Sequence, residues 1–200
     1  SVARIDSNKR SVTSRGYSGR FADDLLVMID GRTVYSPLFA GTFWETLDLP
    51  LEDIDRIEVI RGPGGTIWGA NAVNGAINII TKHTKATQGN LITTGGGSEE
   101  RGFATFRHGG RVGENLFYRF YAKGFTRDNS FSASGTNDSW RMGTLGFRAD
   151  WDINTNNAVT FQAQYYAGKA GQNTMLLNST EPESVIMRPE DANLAGGHAL

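Results

Sequence analysis

The stretch from Asp55 to Lys82 constrains this chain most. It reads Asp-Arg-Ile-Glu-Val-Ile-Arg-Gly-Pro-Gly-Gly-Thr-Ile-Trp-Gly-Ala-Asn-Ala-Val-Asn-Gly-Ala-Ile-Asn-Ile-Ile-Thr-Lys. Two apolar runs, Ile57 to Ile60 and Ala76 to Ile80, flank a glycine-rich centre holding Gly62, Pro63, Gly64, Gly65 and Gly69. Both runs are rich in β-branched residues and end in turn formers, the pattern of buried strands. The unit therefore reads strand, compact turn, strand. Pro63 has no N–H for a ladder and ends the first strand. Gly64 and Gly65 permit backbone angles closed to other residues, and Gly69 allows close approach of the residues around Trp68. These five residues are structural turn positions with no chemistry of their own. No Lys-Ser or Lys-Thr follows the glycines, so a phosphate-binding P-loop is excluded.

In wording and spacing the stretch resembles the plug domain of TonB-dependent outer-membrane receptors. That family's signature runs R-I-E-V-x-R-G-P, then an aromatic-Gly pair, then N-x-x-G-x-I-N-I-I-T. The match covers about twenty-eight consecutive residues, with Trp68 where a Tyr is commoner. The resemblance implies an α+β plug with a small mixed sheet, followed by antiparallel all-β strands that begin a transmembrane β-barrel of roughly 22 strands. In the family the arginine of Arg-Gly-Pro pairs with barrel glutamates and latches the plug, and Arg61 holds that position. On an extended strand Arg56 and Glu58 share one face. Removed from water inside a plug, they should be paired.

Composition narrows the alternatives. The 200 residues include 25 glycines and 10% aromatics, which leans towards turn-rich β structure. A formal net charge of -1 offers no electrostatic footprint for nucleic acid. With no cysteine, disulfides and Cys-based metal sites are excluded. His83, His108 and His198 are scattered and form no zinc-binding pattern. Gly16-Tyr17-Ser18-Gly19 is one residue short of a nucleophile elbow and has no histidine partner. No enzyme, cofactor or metal site is expected. No apolar run is long enough for a transmembrane helix, which leaves a transmembrane barrel open. The N-terminus lacks the regions of a signal peptide, so the chain is expected to start inside a longer one.

Before the signature, Val2 to Ile5 and Ser11 to Thr13 are short strand candidates, and Leu25 to Ile29 is a core strand entering a tight turn at Asp30-Gly31. Arg15-Gly16-Tyr17 matches an Arg-Gly-aromatic triplet that the family places at the ligand side of the plug. The segment from Arg32 to Trp44 carries Tyr35, Phe39, Phe43 and Trp44 with little charge. Such aromatics either pack down or face a ligand. The candidate ligand contacts are thus Arg15, Tyr17, Tyr35, Phe39, Phe43 and Trp44, arginine suiting an anionic chelate and aromatics its flat faces. Asp48 to Ile54 reads as one helical turn with Pro50 at its first position and a solvated acidic start. Its carboxylates lack the alternation and central glycine of a calcium loop.

After Lys85 the pattern becomes alternation. Leu116, Tyr118, Phe120 and Ala122 oppose Phe117, Arg119, Tyr121 and Lys123. Leu145, Phe147, Ala149 and Trp151 oppose Thr144, Arg148 and Asp150, and Val159, Phe161, Ala163 and Tyr165 oppose Thr160, Gln162, Gln164 and Tyr166. Leu91 to Gly97 and Arg101 to Gly109 are weaker, thinned by glycine. Strands of about ten residues with one apolar and one polar face suit a membrane barrel, as do short links at 110–115 and 152–157 alternating with longer ones at 127–139 and after Gly168. The domains expected are 1–84, an N-terminally incomplete plug, and 85–200, roughly five barrel strands ending mid-loop.

The function implied is a fragment of a TonB-dependent receptor in the outer membrane of a Gram-negative bacterium. It would import a scarce nutrient, foremost a ferric siderophore, by energy-coupled gating of the plug. The implied partners are that ligand, TonB through a segment outside the chain, and outer-membrane lipid. The isolated fragment, with an apolar face uncovered, would self-associate. The alternative is a soluble β-rich binding or adhesion domain without transport activity, since soluble sheets alternate in the same way.

Overall fold

The structure, a computed structural model, describes residues 2–12, 25–36, 41–69, 71–131, 136–177 and 185–200. These fall into two compact units, one of residues 2–5 and 9–87, the other of 6–8 and 88–200.

In chain order the strands of the first unit are β1 (Val2–Arg4), β2 (Arg10–Val12), β3 (Leu25–Ile29), β4 (Arg32–Thr33), β5 (Tyr35–Ser36), β6 (Gly41–Thr42), β7 (Ile54–Arg61) and β8 (Gly75–Thr81). β1 and β2 form an antiparallel hairpin, as do β5 and β6. The core is a mixed four-stranded sheet ordered β4-β3-β8-β7, in which β3 and β8 run parallel. β3 is buried along its whole length, as its unbroken apolar run predicts. Leu26 and Met28 pack with Ala72 and Ala76. Asp30 and Gly31, with φ of 49° and 79°, make the two-residue turn from β3 to β4 that the Asp-Gly closure predicts.

Two expectations are corrected here. β7 is not a buried strand: Ile57 and Val59 are 55% and 58% exposed. β7 lies at the edge of its sheet with β8 as its one neighbour, so an apolar sequence alone does not bury it. The acidic turn is shorter and drier than expected. It is a 3-10 turn, Leu51–Asp53, with Pro50 at its cap, and Asp53 is buried. The Asp53 carbonyl accepts from Lys82 N at 2.8 Å, which ties the turn to the end of β8 and removes it from water.

The second unit is one antiparallel sheet of β9 (Gly89–Gly95), β10 (Glu100–Val112), β11 (Leu116–Arg127), β12 (Trp140–Asn154), β13 (Asn157–Leu177) and β14 (Val185–Ala199), each paired with its sequence neighbours. It holds six strands rather than five, and the region after Gly168 is strand where a loop was expected. β13 continues to Leu177 and β14 occupies most of the remainder. Gly168, Gly171, Gln172 and Asn173 interrupt the apolar alternation that marks the rest of β13, so pairing persists beyond the apolar band.

The faces of this sheet are inverted relative to a soluble one. Phe106, Phe120, Leu145, Phe147, Trp151, Phe161 and Tyr165 are exposed, whereas Thr105, Arg119, Thr144 and Asp150 are buried together with Phe117, Tyr121 and Phe125. Asp150 is held on two sides, Arg148 Nε donating to it at 2.9 Å and Thr160 Oγ1 at 2.8 Å, and Gln164 Nε2 donates to Tyr121 Oη at 3.1 Å. Four glycines of this sheet serve as seats for aromatic rings. Tyr121 lies across its cross-strand partner Gly146, where a Cβ would come within 2.1 Å of the ring. Phe103 over Gly95, Tyr118 over Gly110 and Tyr166 over Gly196 repeat the arrangement.

Candidate functional site

The signature unit is built around a tight reversal between β7 and β8. Gly62 (φ 108°) donates its N–H to Asn74 O at 3.3 Å, and Gly64 donates to Ala72 O at 2.8 Å. Between these links the chain makes a single helical turn, α1 (Gly65–Trp68), which the reading of a plain compact turn lacked. α1 ends at Gly69 with φ 93° and ψ -179°, a region that is essentially glycine-only. Gly64 has φ -110° and Gly65 sits in the helical turn with open space where a Cβ would go, so neither needs glycine's special angles. Gly69 serves through its φ and not through close approach, since nothing lies within 4 Å of its Cβ position. Gly75 is the tightest position. With φ 149°, a Cβ there would stand 2.4 Å from the Ile60 carbonyl oxygen. Pro63 is exposed.

Of the ligand candidates, Arg15, Tyr17 and Phe39 lie outside the described residues. Tyr35 is described through its backbone, which pairs with Thr42. Phe43 and Trp44 are half-buried. Trp44 opens a 3-10 turn, Trp44–Thr46, closed by Thr46 Oγ1 donating to Phe43 O at 3.0 Å, and Glu45 within it is buried.

The latch candidates lie along β7. Arg56 donates to Glu58 at 2.8 Å and to Asp55 at 2.7 Å. These pairs are in water: the Arg56 side chain is 57% exposed, which corrects the expectation of charges removed from solvent. The Glu58 and Asp55 carboxylates raise the Arg56 guanidinium above its ordinary value through their hydrogen bonds. Arg61 is exposed at the end of β7. Across the sheet, burial lowers Arg32, with the charge of Asp30 working in the opposite direction.

Two anchoring groups carry no signal strong enough to be read from sequence. The Asp30 carboxylate accepts from Thr81 N at 2.7 Å and Thr81 Oγ1 at 2.8 Å, so the hairpin turn also clamps the end of β8. The Asp-Gly pair announces the turn, but not its partner 51 residues away. In the second unit Asp138, 4% exposed, accepts from Ser7 N at 2.7 Å and Ser130 N at 2.9 Å, and Ser130 Oγ adds a third donor. Asn8 Nδ2 donates to Asp138 O at 3.2 Å and to Gly171 O at 2.8 Å. Burial alone would raise Asp138, yet these donors outweigh it and hold the carboxyl below its ordinary value. Among the described residues no group of three or more His, Asp or Glu converges on a metal site.

Known proteins resemble both units. Residues 2–76 match the TonB-dependent Receptor Plug Domain. The chain is 34% identical over 96 residues to the vitamin B12 transporter BtuB of Vibrio vulnificus, covering 48% of this chain and 15% of that protein. It is 31% identical over 163 residues to a ferric enterobactin receptor of Pseudomonas aeruginosa, covering 74% of this chain and 19% of the receptor. In fold it resembles the pyoverdine outer membrane receptor FpvA of Pseudomonas aeruginosa, with a TM-score of 0.63 at 21% identity, over 88% of this chain and 25% of that one. The chain thus spans about a fifth of the length of the curated relatives it matches. With the plug signature, the mixed plug sheet and the inverted antiparallel sheet in one sequence, the chain belongs to the TonB-dependent outer-membrane receptors.

Proposed function

We propose that the chain is part of an importer that binds a scarce nutrient, foremost a ferric siderophore, and admits it when TonB acts on the plug. In this reading residues 1–84 are the plug and 85–200 open a barrel of roughly 22 strands, wide enough for a polar lumen that a folded plug must block. The observation that supports the proposal is a Gly62–Gly75 plug turn in one chain with a sheet whose one face exposes Phe106, Phe120, Phe147 and Phe161 while the other buries Arg119, Thr144 and Asp150 along with Phe117, Tyr121 and Phe125. A soluble adhesion domain would bury the opposite face.

Arg15, Tyr17, Tyr35, Phe39, Phe43 and Trp44 are the proposed ligand contacts, and Arg61, with Glu58 and Arg56 beside it on β7, the proposed latch to barrel carboxylates. Cobalamin is the second substrate reading, favoured by the relatives named vitamin B12 transporters. The test is binding to the intact receptor. Tyr35→Ala with Trp44→Ala should weaken a ferric catecholate siderophore at least tenfold while barrel assembly is unchanged. Unchanged affinity returns those aromatics to packing roles, and binding of cobalamin alone replaces the substrate class.

A further inference from the structure

The exposed face of the second unit is ordered in rows, which the strand register defines. On β12, Arg141 and Trp151 lie ten residues apart on the same face, with Gly143, Leu145, Phe147 and Ala149 between them. At ~3.3 Å per residue and the ~35–45° tilt of membrane strands, that separation is about 25 Å, the height of a barrel's apolar band. Arg141 pairs in register with Lys169 of β13, and both side chains are exposed. Two cations therefore stand side by side at one border of the band. Neither has an ion-pair partner among the described residues. Asp191, on β14 opposite Gly171, faces the same surface one row further out and leaves the patch net positive.

Below the cations the surface is hollow. The next row is Ala104, Gly124, Gly143 and Ala167, in register across four strands. With Phe106, Leu145, Tyr165 and Ile92 standing higher beneath it, this row forms an apolar groove of about 610 Å³. A smooth lipid-facing wall needs neither the hollow nor the paired charges. A groove for hydrocarbon directly under two cations is complementary to one kind of molecule.

We infer that Arg141, Lys169 and the groove beneath them form a binding site for a phosphorylated, multiply acylated lipid, the phosphate between the two cations and an acyl chain in the groove. The inference rests on the reading of this sheet as membrane-spanning. It is tested on the intact receptor purified from outer membranes, by native mass spectrometry during titration with diphosphoryl lipid A or with phosphatidylcholine. At roughly five-fold per interfacial cation, Arg141→Gln with Lys169→Gln should weaken lipid A about 30-fold and leave phosphatidylcholine unchanged. Gly143→Leu, whose Cβ position has only the Ala167 carbonyl at 4.0 Å, should weaken lipid A several-fold with both charges in place. Equal lipid A affinity in the double variant, recovered from the outer membrane as usual, overturns the cation site and leaves the membrane reading standing. Binding unchanged by Gly143→Leu overturns the acyl seat. Recovery of the parent protein in the soluble fraction overturns the membrane reading and this inference with it.

Discussion

The glycines of the signature turn should separate sharply under substitution by alanine, although they look alike in sequence. At Gly65 nothing lies within 4 Å of the Cβ position and the residue is helical, so Gly65→Ala should stabilise by about 0.5 kcal/mol through reduced freedom of the unfolded chain. At Gly69 there is equal room, but φ 93° with ψ -179° is strained for any L side chain, and Gly69→Ala should cost about 1–3 kcal/mol. At Gly75 similar strain at φ 149° is joined by a Cβ 2.4 Å from the Ile60 carbonyl oxygen. That oxygen belongs to backbone, and Gly75 is paired with Leu25 on one side and Arg61 on the other, so relief requires moving a strand. Overpacking adds ~1–3 kcal/mol, bringing Gly75→Ala to about 2–6 kcal/mol. The measurement is urea unfolding of the chain in detergent with Trp140 and Trp151 replaced by Phe, so that Trp44 and Trp68 report the first unit alone. A Gly75→Ala midpoint indistinguishable from that of Gly65→Ala at equal m-value would refute the assignment of this turn.

Asp30→Ala removes both acceptors of Thr81 and should destabilise the first unit by about 2–4 kcal/mol in the same assay, with Asp30→Asn losing roughly half as much because Asn keeps one acceptor and tolerates a positive φ. Asp138, held below its ordinary value, contributes stability that is present above about pH 4 and is lost as pH falls through its folded value. Asp138→Asn should therefore flatten the fall in stability of the second unit between pH 5 and 3, and an unaltered pH profile would mean that the Ser7 and Ser130 donors do not act on the carboxylate. Gly146→Ala, which displaces the Tyr121 ring and its bond from Gln164, should cost about 1–3 kcal/mol, read from Trp140 and Trp151.

What the sequence discloses and what it hides follow one physical division. Local patterns are legible: Leu25 to Ile29 reads as a buried strand, Asp30-Gly31 as its turn, and the period-two runs from Leu116 to Tyr166 as two-faced strands, because each depends on neighbours within a few residues. Burial is not local. Ile57 and Val59 have the composition of core residues and lie exposed, while Asp53 has the composition of surface and lies buried beside the backbone link from Lys82. The strand at 185–199 was hidden for a related reason. Pro189, Glu190 and Asp191 look like loop, yet their backbone continues a ladder whose partner is fixed by β13. The direction of each face follows the same logic. Alternation states that Phe147 and Arg148 point apart, but only the assembled sheet, with Phe147 exposed and Arg148 holding buried Asp150, says which of them lies on the exposed face and which on the buried one. Candidate ligand residues fall on the hidden side of this division, since whether Tyr35 and Trp44 meet a ligand depends on several loops at once. The substitutions at Tyr35 and Trp44 therefore decide more about function than any further reading of the signature that first identifies the fold.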